Sequence, residues 1–276
     1  MSGIIIAGAG VGHLVAPLLV SRLIAIYDWR LSSIIVGYVV LAVIVIAAQF
    51  LRHDPIKKGQ RPYGEDKNEG NQHYFKSETK SFSLKEAVHT AQFWLAFMIL
   101  LCFGFFMVAV MVHIVPHATD LEISAVSAAN ILATMGGITI LGNYVLGSVA
   151  DKIGNRWVFI IGFILMALAL CGLLPARELW MLYLFAVVFG FNQGGMATSE
   201  SPLVAGLFGL RSHGLIYGVL SLGFTAGASV GPFVTGYIFD LTGGYQVAFL
   251  VCVAFSIFGL ILTVLLRPTK RLAGRI

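Results

Sequence analysis

The chain has 276 residues, of which 58% are hydrophobic and 11% charged, a balance that excludes a soluble domain. Its formal net charge of +5 would suit a nucleic-acid partner, but the basic residues cluster in a few short segments between long apolar stretches. The charge therefore indicates a membrane topology, and no nucleic-acid partner is expected.

Apolar stretches long enough to cross about 30 Å of hydrocarbon predict eight membrane-spanning helices and an all-α fold. They lie at about 3–27, 31–51, 90–115, 125–149, 156–174, 179–207, 215–239 and 246–266. A membrane barrel would show short alternating strands instead, so a helical bundle is predicted. The three cysteines, Cys102, Cys171 and Cys252, all lie inside these spans, which favours neither a disulfide framework nor a metal site.

The placement of lysine and arginine orients the chain in its membrane. If the first span runs outward, 15 of the 18 basic residues fall in cytoplasmic segments, namely 52–88, 151–156, 210–214 and the tail from 267. The external turns hold only Arg30 and Arg177. An excess of positive charge inside places both termini in the cytoplasm. We predict an integral protein of a bacterial-type inner membrane or a plasma membrane.

The first and seventh spans share one spacing of small residues. Residues 3–52 and 218–267 match without a gap, 215 positions apart, and both begin Gly-x4-Gly-x3-Gly-x4-Pro. The matched residues are Gly3, Gly8, Gly12 and Pro17 against Gly218, Gly223, Gly227 and Pro232. Such glycines, with Gly231, let helices pack backbone to backbone, and the prolines allow bending. A two-span unit used twice in one direction is typical of transporters built from parallel repeats.

The polar segment 53–88 divides the chain into three predicted parts. Residues 1–52 form two spans, 53–88 a cytoplasmic linker with a short interfacial helix near 82–88, and 89–276 a six-helix bundle with a short tail. If 218–267 closes a six-span half, an equivalent half closed by 3–52 needs four more spans. We therefore expect about 125 further residues before Met1, the alternative being a complete eight-span protein.

The turn after the fourth span carries a charged loop motif with a defined spacing. The motif reads Gly147-Ser-Val-Ala-Asp151-Lys152-Ile-Gly154-Asn-Arg156. It resembles the G-x-x-x-D-[RK]-x-G-x-[RK] loop of the major facilitator superfamily, which lies between the eighth and ninth helices of that family. The resemblance implies that the chain covers helices five to twelve of a twelve-helix transporter. It also implies a cytoplasmic latch in which Asp151 faces a helix N-terminus of the other half, at residues 1–3. A solvated charged turn is the alternative.

Two stretches, 113–120 and 223–245, further resemble monocarboxylate and oxalate/formate-type carriers. Those carriers place basic residues in the eighth and eleventh helices, but 125–149 and 215–239 contain no Lys or Arg, which disfavours a dicarboxylate. The resemblance implies a secondary transporter of a small organic anion, a monocarboxylate, that works by alternating access with proton or anion coupling. No enzyme activity, cofactor or metal is expected, and the ATP-binding motif G-x-x-x-x-G-K-[ST] is absent from the sequence. A sensor or interaction protein that does not transport is the alternative.

Polar residues inside spans are costly and usually face a cavity or a partner. Gln193 and Glu200 are seven residues apart and share a helix face about 10 Å apart along the axis, with Asn192 beside them. Glu200 is a candidate carrier of a coupling proton or, alternatively, a partner of a neighbouring helix terminus. Asn143 follows Thr139 by four residues, and interhelical hydrogen bonding is favoured there over substrate contact.

Four further polar residues, Arg22, His13, His113 and His117, lie within or at the ends of predicted spans. Arg22 lies near the outer end of the first span, either reaching the interface or binding the anion. His13 lies about 180° around the helix from Arg22 and is predicted to be a neutral packing residue. His113, with His117 one turn later, lies at the outer end of the third span, where it either senses pH or guides substrate, or simply occupies the interface.

Overall fold

The structure is a computed structural model that describes residues 26–50 and 81–266, together with 11–12, 15–16, 19–20 and 22–24. The chain divides into two compact units, 18–79 and 80–276 with 1–17, and each is described by itself. The described part of the chain contains these helices: α1 (Trp29–Phe50), α2 (Leu84–Val88), α3 (Ala91–Asp120), α4 (Ala125–Ile153), α5 (Asn155–Leu173), α6 (Leu179–Phe208), α7 (His213–Thr242) and α8 (Gln246–Leu265).

Seven of these helices, all except α2, are long and apolar enough to cross a membrane. They confirm the predicted all-α membrane fold and match the second to eighth predicted spans. The described residues of the first predicted span, from Val11 to Ile26, are helical, and the rest of that span lies outside the described residues. Helix α2 lies where the sequence predicts a short helix before the bundle, and its position at a membrane interface stays a prediction.

Helix α1 belongs to the smaller unit. The Asp28 carboxylate caps it by accepting a hydrogen bond from the backbone N–H of Leu31, at 2.8 Å. The Arg30 guanidinium lies over the Trp29 ring, 5.1 Å from its centroid. Nearly all other side chains of α1 are exposed within this unit.

Local sequence explains where several bundle helices begin. Ser83 and Glu86 form a reciprocal capping box at the start of α2. Thr90 caps α3 and Ser124 caps α4, each through its side-chain oxygen and a backbone N–H three residues later. Hydroxyls at helix starts satisfy N–H groups that have no partner within the helix.

The bundle of α3–α8 is held by two long helix pairs. α3 packs along α7 and α4 packs along α6, while α5 fits between α6 and α8. Glycines make these contacts close: a Cβ on Gly227 would overlap the Leu101 carbonyl oxygen, and one on Gly194 would overlap the Thr139 carbonyl oxygen. Since lipid is as apolar as a leucine side chain, close backbone packing rather than burial from water stabilises such a bundle.

Aromatic rings fill the space between α3, α5 and α8. Phe105 of α3 stacks on Phe255 of α8, with the ring centroids 3.8 Å apart and the planes nearly parallel. Phe106 of α3 meets Phe163 of α5 edge to face at 5.9 Å. The core between these helices is therefore largely aromatic, and the buried polar side chains of the bundle lie on α4, α6, α7 and α8.

Candidate functional site

Asn143 and Thr198 join the middle of α4 to α6. Both are buried, and the Thr198 hydroxyl donates to the Asn143 side-chain oxygen at 2.8 Å. The Asn143 amide nitrogen, also buried, has no hydrogen-bond partner among the described residues. This is the interhelical hydrogen bond favoured from the sequence, and a part for Asn143 in a substrate path stays a prediction.

Asn192 and Gln193 are both buried but point to different helices. The Asn192 amide donates to the Gly162 carbonyl oxygen of α5 at 3.0 Å, and the Gln193 amide lies 3.7 Å from the Met111 sulfur of α3. A thioether is a weak acceptor, so the Gln193 amide is only weakly held. Gln193 is therefore the more available of the two for another hydrogen-bonding partner.

Glu200 contacts α7 near the start of that helix, and its role as a proton carrier or as a partner of a helix terminus stays a prediction. The Tyr217 hydroxyl donates to the Glu200 carboxylate at 3.0 Å. Next along the chain, the Ser201 hydroxyl lies 3.0 Å from His213 Nε2, and the His213 ring stacks on Tyr217 with centroids 5.8 Å apart. The structure thus brings together one carboxylate, one phenol, one imidazole and one hydroxyl near the C-terminal end of α6 and the N-terminal end of α7.

His113 links α3 to α7 and to the turn before α8. Its Nε2 lies 3.0 Å from the Pro232 carbonyl oxygen and its Nδ1 lies 3.3 Å from the Tyr245 hydroxyl. A carbonyl only accepts, so in the neutral ring Nε2 carries the proton and Nδ1 accepts from Tyr245. Burial raises the pKa of Tyr245, and Asp120 and Asp240 raise it further, which keeps its hydroxyl a donor at neutral pH.

His117 lies one turn after His113 and packs on rings rather than on polar groups. Its ring meets those of Tyr245 and Phe249 edge to face, at 5.5 and 5.1 Å. Its buried Nε2 has no hydrogen-bond partner in the described part of the chain. An aromatic and imidazole cluster therefore joins the C-terminal ends of α3 and α7 to the N-terminal end of α8.

In the charged loop between α4 and α5, two residues are exposed and a third bonds to α8. Asp151 and Lys152 are exposed at the end of α4, and Gly154 turns the chain with a φ of 91°. Arg156 reaches across to the last helix: its Nε donates to the Thr263 carbonyl oxygen at 3.1 Å, and its Nη2 donates to that of Val264 at 2.7 Å. A cation there adds hydrogen bonds to carbonyls at the negative end of α8, where the Thr263 carbonyl also accepts from the Leu266 N–H at 3.3 Å.

Replacing Arg156 by glutamine is expected to lower the free energy of unfolding by about 1 kcal/mol, since two charge-assisted bonds are lost from a side chain that is only partly buried. The matched control is Lys152→Gln in the same loop, where an exposed charge is removed and little change is expected. Thermal unfolding in detergent and hydrogen exchange at the end of α8 measure the effect. Equal stability for the two variants would contradict the clamp.

The remaining predicted packing residues fall into two groups. Gly147 lies against the Thr198 side chain, and a Cβ on Gly223 or Gly231 would meet backbone atoms of α3, as at Gly227. Pro232 lies inside α7. In the first span, Gly12 and Arg22 are exposed, whereas the predictions for Gly8, His13 and Pro17 lie outside the described residues, as does the proposed partner of Asp151 at residues 1–3.

Sequence reasoning missed the partners of the predicted residues. Tyr217, His213, Ser201, Thr198 and Tyr245 complete the contacts above. Only one signal pointed to them: His213 and Tyr217 are four residues apart, so they share a face of α7. Arg22 belongs to the other compact unit and is described apart from the bundle.

An all-helical bundle of membrane-spanning length, with a few buried polar side chains and a charged loop motif between α4 and α5, defines an integral membrane protein. A sequence model of the Major Facilitator Superfamily matches residues 1–141 and 114–275, and the chain belongs to that superfamily.

Relatives of known name agree with this assignment. Monocarboxylate transporter 12 of Mus musculus is 27% identical over 98% of this chain and 60% of its own length. The uncharacterised MFS-type transporter YhjX of Escherichia coli is 27% identical over 83% of this chain and 54% of its own length. The ectoine/proline transporter ProP of Corynebacterium glutamicum is 34% identical over 46% of this chain and 30% of its own length. The chain thus spans 60% or less of the length of these transporters.

Proposed function

We propose that this protein is a secondary active transporter of a small organic anion, a monocarboxylate, that works by alternating access with proton or anion coupling. The observation that carries the proposal is the match of the superfamily model along the chain, together with the polar interior of the bundle. Membership of a transporter family supports movement of a solute rather than a chemical conversion. Neither ATP nor a cofactor has a part in the proposed cycle.

Charge distribution supports a monovalent rather than a divalent anion. The spans 125–149 and 215–239 contain no Lys or Arg, and the basic residues of the bundle, such as Lys152 and Arg156, lie at helix ends. An anion inside the bundle would therefore depend mainly on hydrogen bonds, for which the amides of Gln193 and Asn143 and the buried hydroxyls of Ser199 and Ser256 are available. Burying two negative charges without cations is far more costly than burying one.

Relatives support a carboxylate as the shared chemical feature of the substrate. Two similar proteins are named for monocarboxylates and for ectoine and proline, compounds that each carry one carboxylate. We propose that Arg22 in the first span supplies part of the positive charge for such a group.

The proposed conformational change uses the same close helix pairs that hold the bundle together. Gly223, Gly227 and Gly231 put α7 against the backbone of α3, and Pro232 removes one backbone donor within α7. Small shifts between such helices are a known route to exposing a site on one side of the membrane and then on the other. We place both termini on the cytoplasmic side because the basic residues concentrate there.

Uptake into proteoliposomes tests the proposal. Vesicles containing the protein as its gene encodes it are expected to show saturable uptake of radiolabelled pyruvate, lactate or acetate, and much weaker uptake of oxalate. Proline is included to separate an anion from a zwitterion. Binding of these compounds without flux would support the alternative, a membrane sensor on the same bundle, and neither binding nor flux would contradict both.

A further inference from the structure

Helix α6 carries an amide and a carboxylate on one face, those of Gln193 and Glu200. They are seven residues apart, which is two helical turns and about 10 Å along the axis. In the structure the Gln193 side chain contacts Met111 of α3, and the Glu200 side chain contacts Tyr217 of α7. Because α3 and α7 pack along each other, both polar side chains face the same pair of helices.

This face of α6 is loosely packed. Helix α6 lies closely along α4 and α5, but it has few contacts with α3 and α7. The Gln193 amide meets a weak acceptor, the Met111 sulfur at 3.7 Å, so it is available to a stronger one. Gln193 lies at the midpoint of α6, which has 30 residues, and a centred hydrocarbon layer about 30 Å thick includes both polar side chains. A solute held between α6 and the α3–α7 pair therefore meets both of them.

Glu200 has no positive partner in the part of the chain that the structure describes. Its hydrogen bond, at 3.0 Å, comes from the Tyr217 hydroxyl. The six long helices of the bundle contain one lysine and one arginine, both in terminal turns: Lys152 is exposed, and Arg156 donates to carbonyls of α8. A carboxylate inside a membrane is costly without a positive partner. The cation that neutralises Glu200 therefore comes from beyond these helices, either as a proton or as a charged group of the solute.

The surroundings of Glu200 favour an ammonium group. The Tyr217 hydroxyl binds the carboxylate, and the Tyr217 ring stacks on the His213 ring with centroids 5.8 Å apart. Aromatic rings beside a carboxylate attract an ammonium group, through the ring faces and through the neighbouring negative charge. The His213 imidazole is itself engaged with the Ser201 hydroxyl at 3.0 Å. A solute that carries only a carboxylate would instead be repelled by Glu200, two turns from Gln193.

The spacing of the two groups on α6 sets the length of such a solute. Of the axial separation of about 10 Å, one hydrogen bond to Gln193 and one to Glu200 take about 3 Å each. Roughly 4–5 Å is left between the carboxylate and the amine of the solute, which about two or three methylene groups span. A compound such as 4-aminobutyrate has this spacing, whereas glycine is too short and 6-aminohexanoate is too long.

We propose that the monocarboxylate carried by this protein also bears an amine, and that Glu200 binds the ammonium group while Gln193 donates to the carboxylate. This inference rests on the proposed transport function and narrows its substrate class to short monocarboxylates with a terminal amine. It assigns Glu200 to the solute rather than to a coupling proton. A simple monocarboxylate such as pyruvate is then the poorer substrate, because it leaves Glu200 without a positive partner.

Two probes of matched size test this inference: 4-aminobutyrate and 4-hydroxybutyrate, which differ by an ammonium group against a hydroxyl. Proteoliposomes with the unaltered protein, at the same pH inside and outside, are expected to take up radiolabelled 4-aminobutyrate with a kcat/KM at least about tenfold higher. Equal uptake of the two probes, a preference for 4-hydroxybutyrate, or uptake of pyruvate alone would overturn the inference and leave carboxylate transport established. Absence of uptake of all three compounds would overturn the proposed function.

Glu200→Gln removes the charge and keeps the size of the side chain. It is expected to lower uptake of 4-aminobutyrate at least about tenfold and to raise uptake of 4-hydroxybutyrate, since attraction of the ammonium and repulsion of the lone carboxylate are lost together. The matched control is Glu178→Gln, an exposed glutamate at the start of the same helix whose side chain makes no capping bond. Equal loss of both probes by the folded Glu200 variant would assign Glu200 to transport in general, as for a proton carrier, and would overturn the inference.

Two further variants keep the test valid if Glu200→Gln does not fold. Glu200→Asp keeps the charge but withdraws it by about one methylene group, so the preferred solute is expected to lengthen from 4-aminobutyrate to 5-aminopentanoate. Gln193→Met is expected to weaken uptake of both probes several-fold and to a similar extent, because each has the carboxylate to which Gln193 donates. An unchanged length preference in Glu200→Asp, uptake unaffected by Gln193→Met, or a reversal of selectivity in the Glu178→Gln control would overturn the inference.

Discussion

Alanine at Gly227 is expected to destabilise the bundle by about 3 kcal/mol, because a Cβ there has no space. It would overlap the Leu101 carbonyl oxygen and lie 2.8 Å from the Phe105 backbone nitrogen. Both atoms belong to the backbone of α3, which cannot move aside as a flexible side chain can. The two helices would have to separate along much of their length, and membrane helices held by close packing lose their attraction steeply with distance.

Gly218→Ala is the matched control for Gly227→Ala. Gly218 lies in the same helix, α7, and a Cβ there would meet no atom within 4 Å. Alanine at this position is expected to leave stability unchanged or to raise it by about 0.5 kcal/mol, since glycine is the poorer helix former. Thermal unfolding of both variants in detergent gives the comparison. Similar melting temperatures for the two would contradict the assigned contact between α3 and α7.

Hydropathy predicted the positions of the helices well because residues that cross the hydrocarbon layer of a membrane must be apolar. It underestimated the length of several helices for the same reason. The third predicted span stops at residue 115, but α3 continues through Pro116 to Asp120, and the seventh stops at 239, whereas α7 ends at Thr242. The extra turns carry His117, Asp120 and Asp240, which lie at the polar interface. A hydropathy scale detects apolar residues that lie in the hydrocarbon layer, but it does not detect the polar turns with which a helix extends into the headgroup region.

Contacts between helices were the part that the sequence could not supply. Asn143 and Glu200 stand out in their spans because polar residues there are rare and need partners. Their partners, Thr198 and Tyr217, are ordinary residues in apolar helices, and nothing local marks them. Which helix lies beside which depends on topology: α3 packs on α7 and α4 on α6, although neither pair is consecutive. The contact of Asn143 with Thr198 follows from the α4–α6 pair, whereas Glu200 meets Tyr217 across the consecutive helices α6 and α7.

The loop motif between α4 and α5 was recognised from its sequence, but the contact that it makes is known only from the structure. Its spacing was recognised from Gly147, Asp151 and Gly154, but the reach of Arg156 to the carbonyls of Thr263 and Val264 spans more than 100 residues along the chain. The arginine therefore ties the start of α5 to the end of α8. This contact depends on the turn that precedes it, and that turn depends on one glycine.

Replacing Gly154 by alanine is expected to lower stability by about 1–3 kcal/mol. Gly154 has a φ of 91° and a ψ of 145°, a conformation that is essentially restricted to glycine because a Cβ would clash with its own backbone. Since a Cβ at Gly154 meets no other atom within 4 Å, crowding by neighbours plays no part and the whole effect comes from backbone strain. Relaxing that strain would change the angle between α4 and α5 and pull Arg156 away from α8.

Gly172→Ala in α5 is the matched control for Gly154→Ala: it adds a methyl group at a glycine whose backbone conformation is not strained. Gly172 lies in a helix, where alanine is well tolerated, and a Cβ there also meets no atom within 4 Å. Alanine at Gly172 is expected to change the melting temperature little, whereas alanine at Gly154 lowers it and increases hydrogen exchange at the end of α8. Combining Gly154→Ala with Arg156→Gln is expected to cost less than the sum of the single effects, because both act on one contact. Strict additivity in this double-mutant cycle would mean that the turn and the clamp are independent.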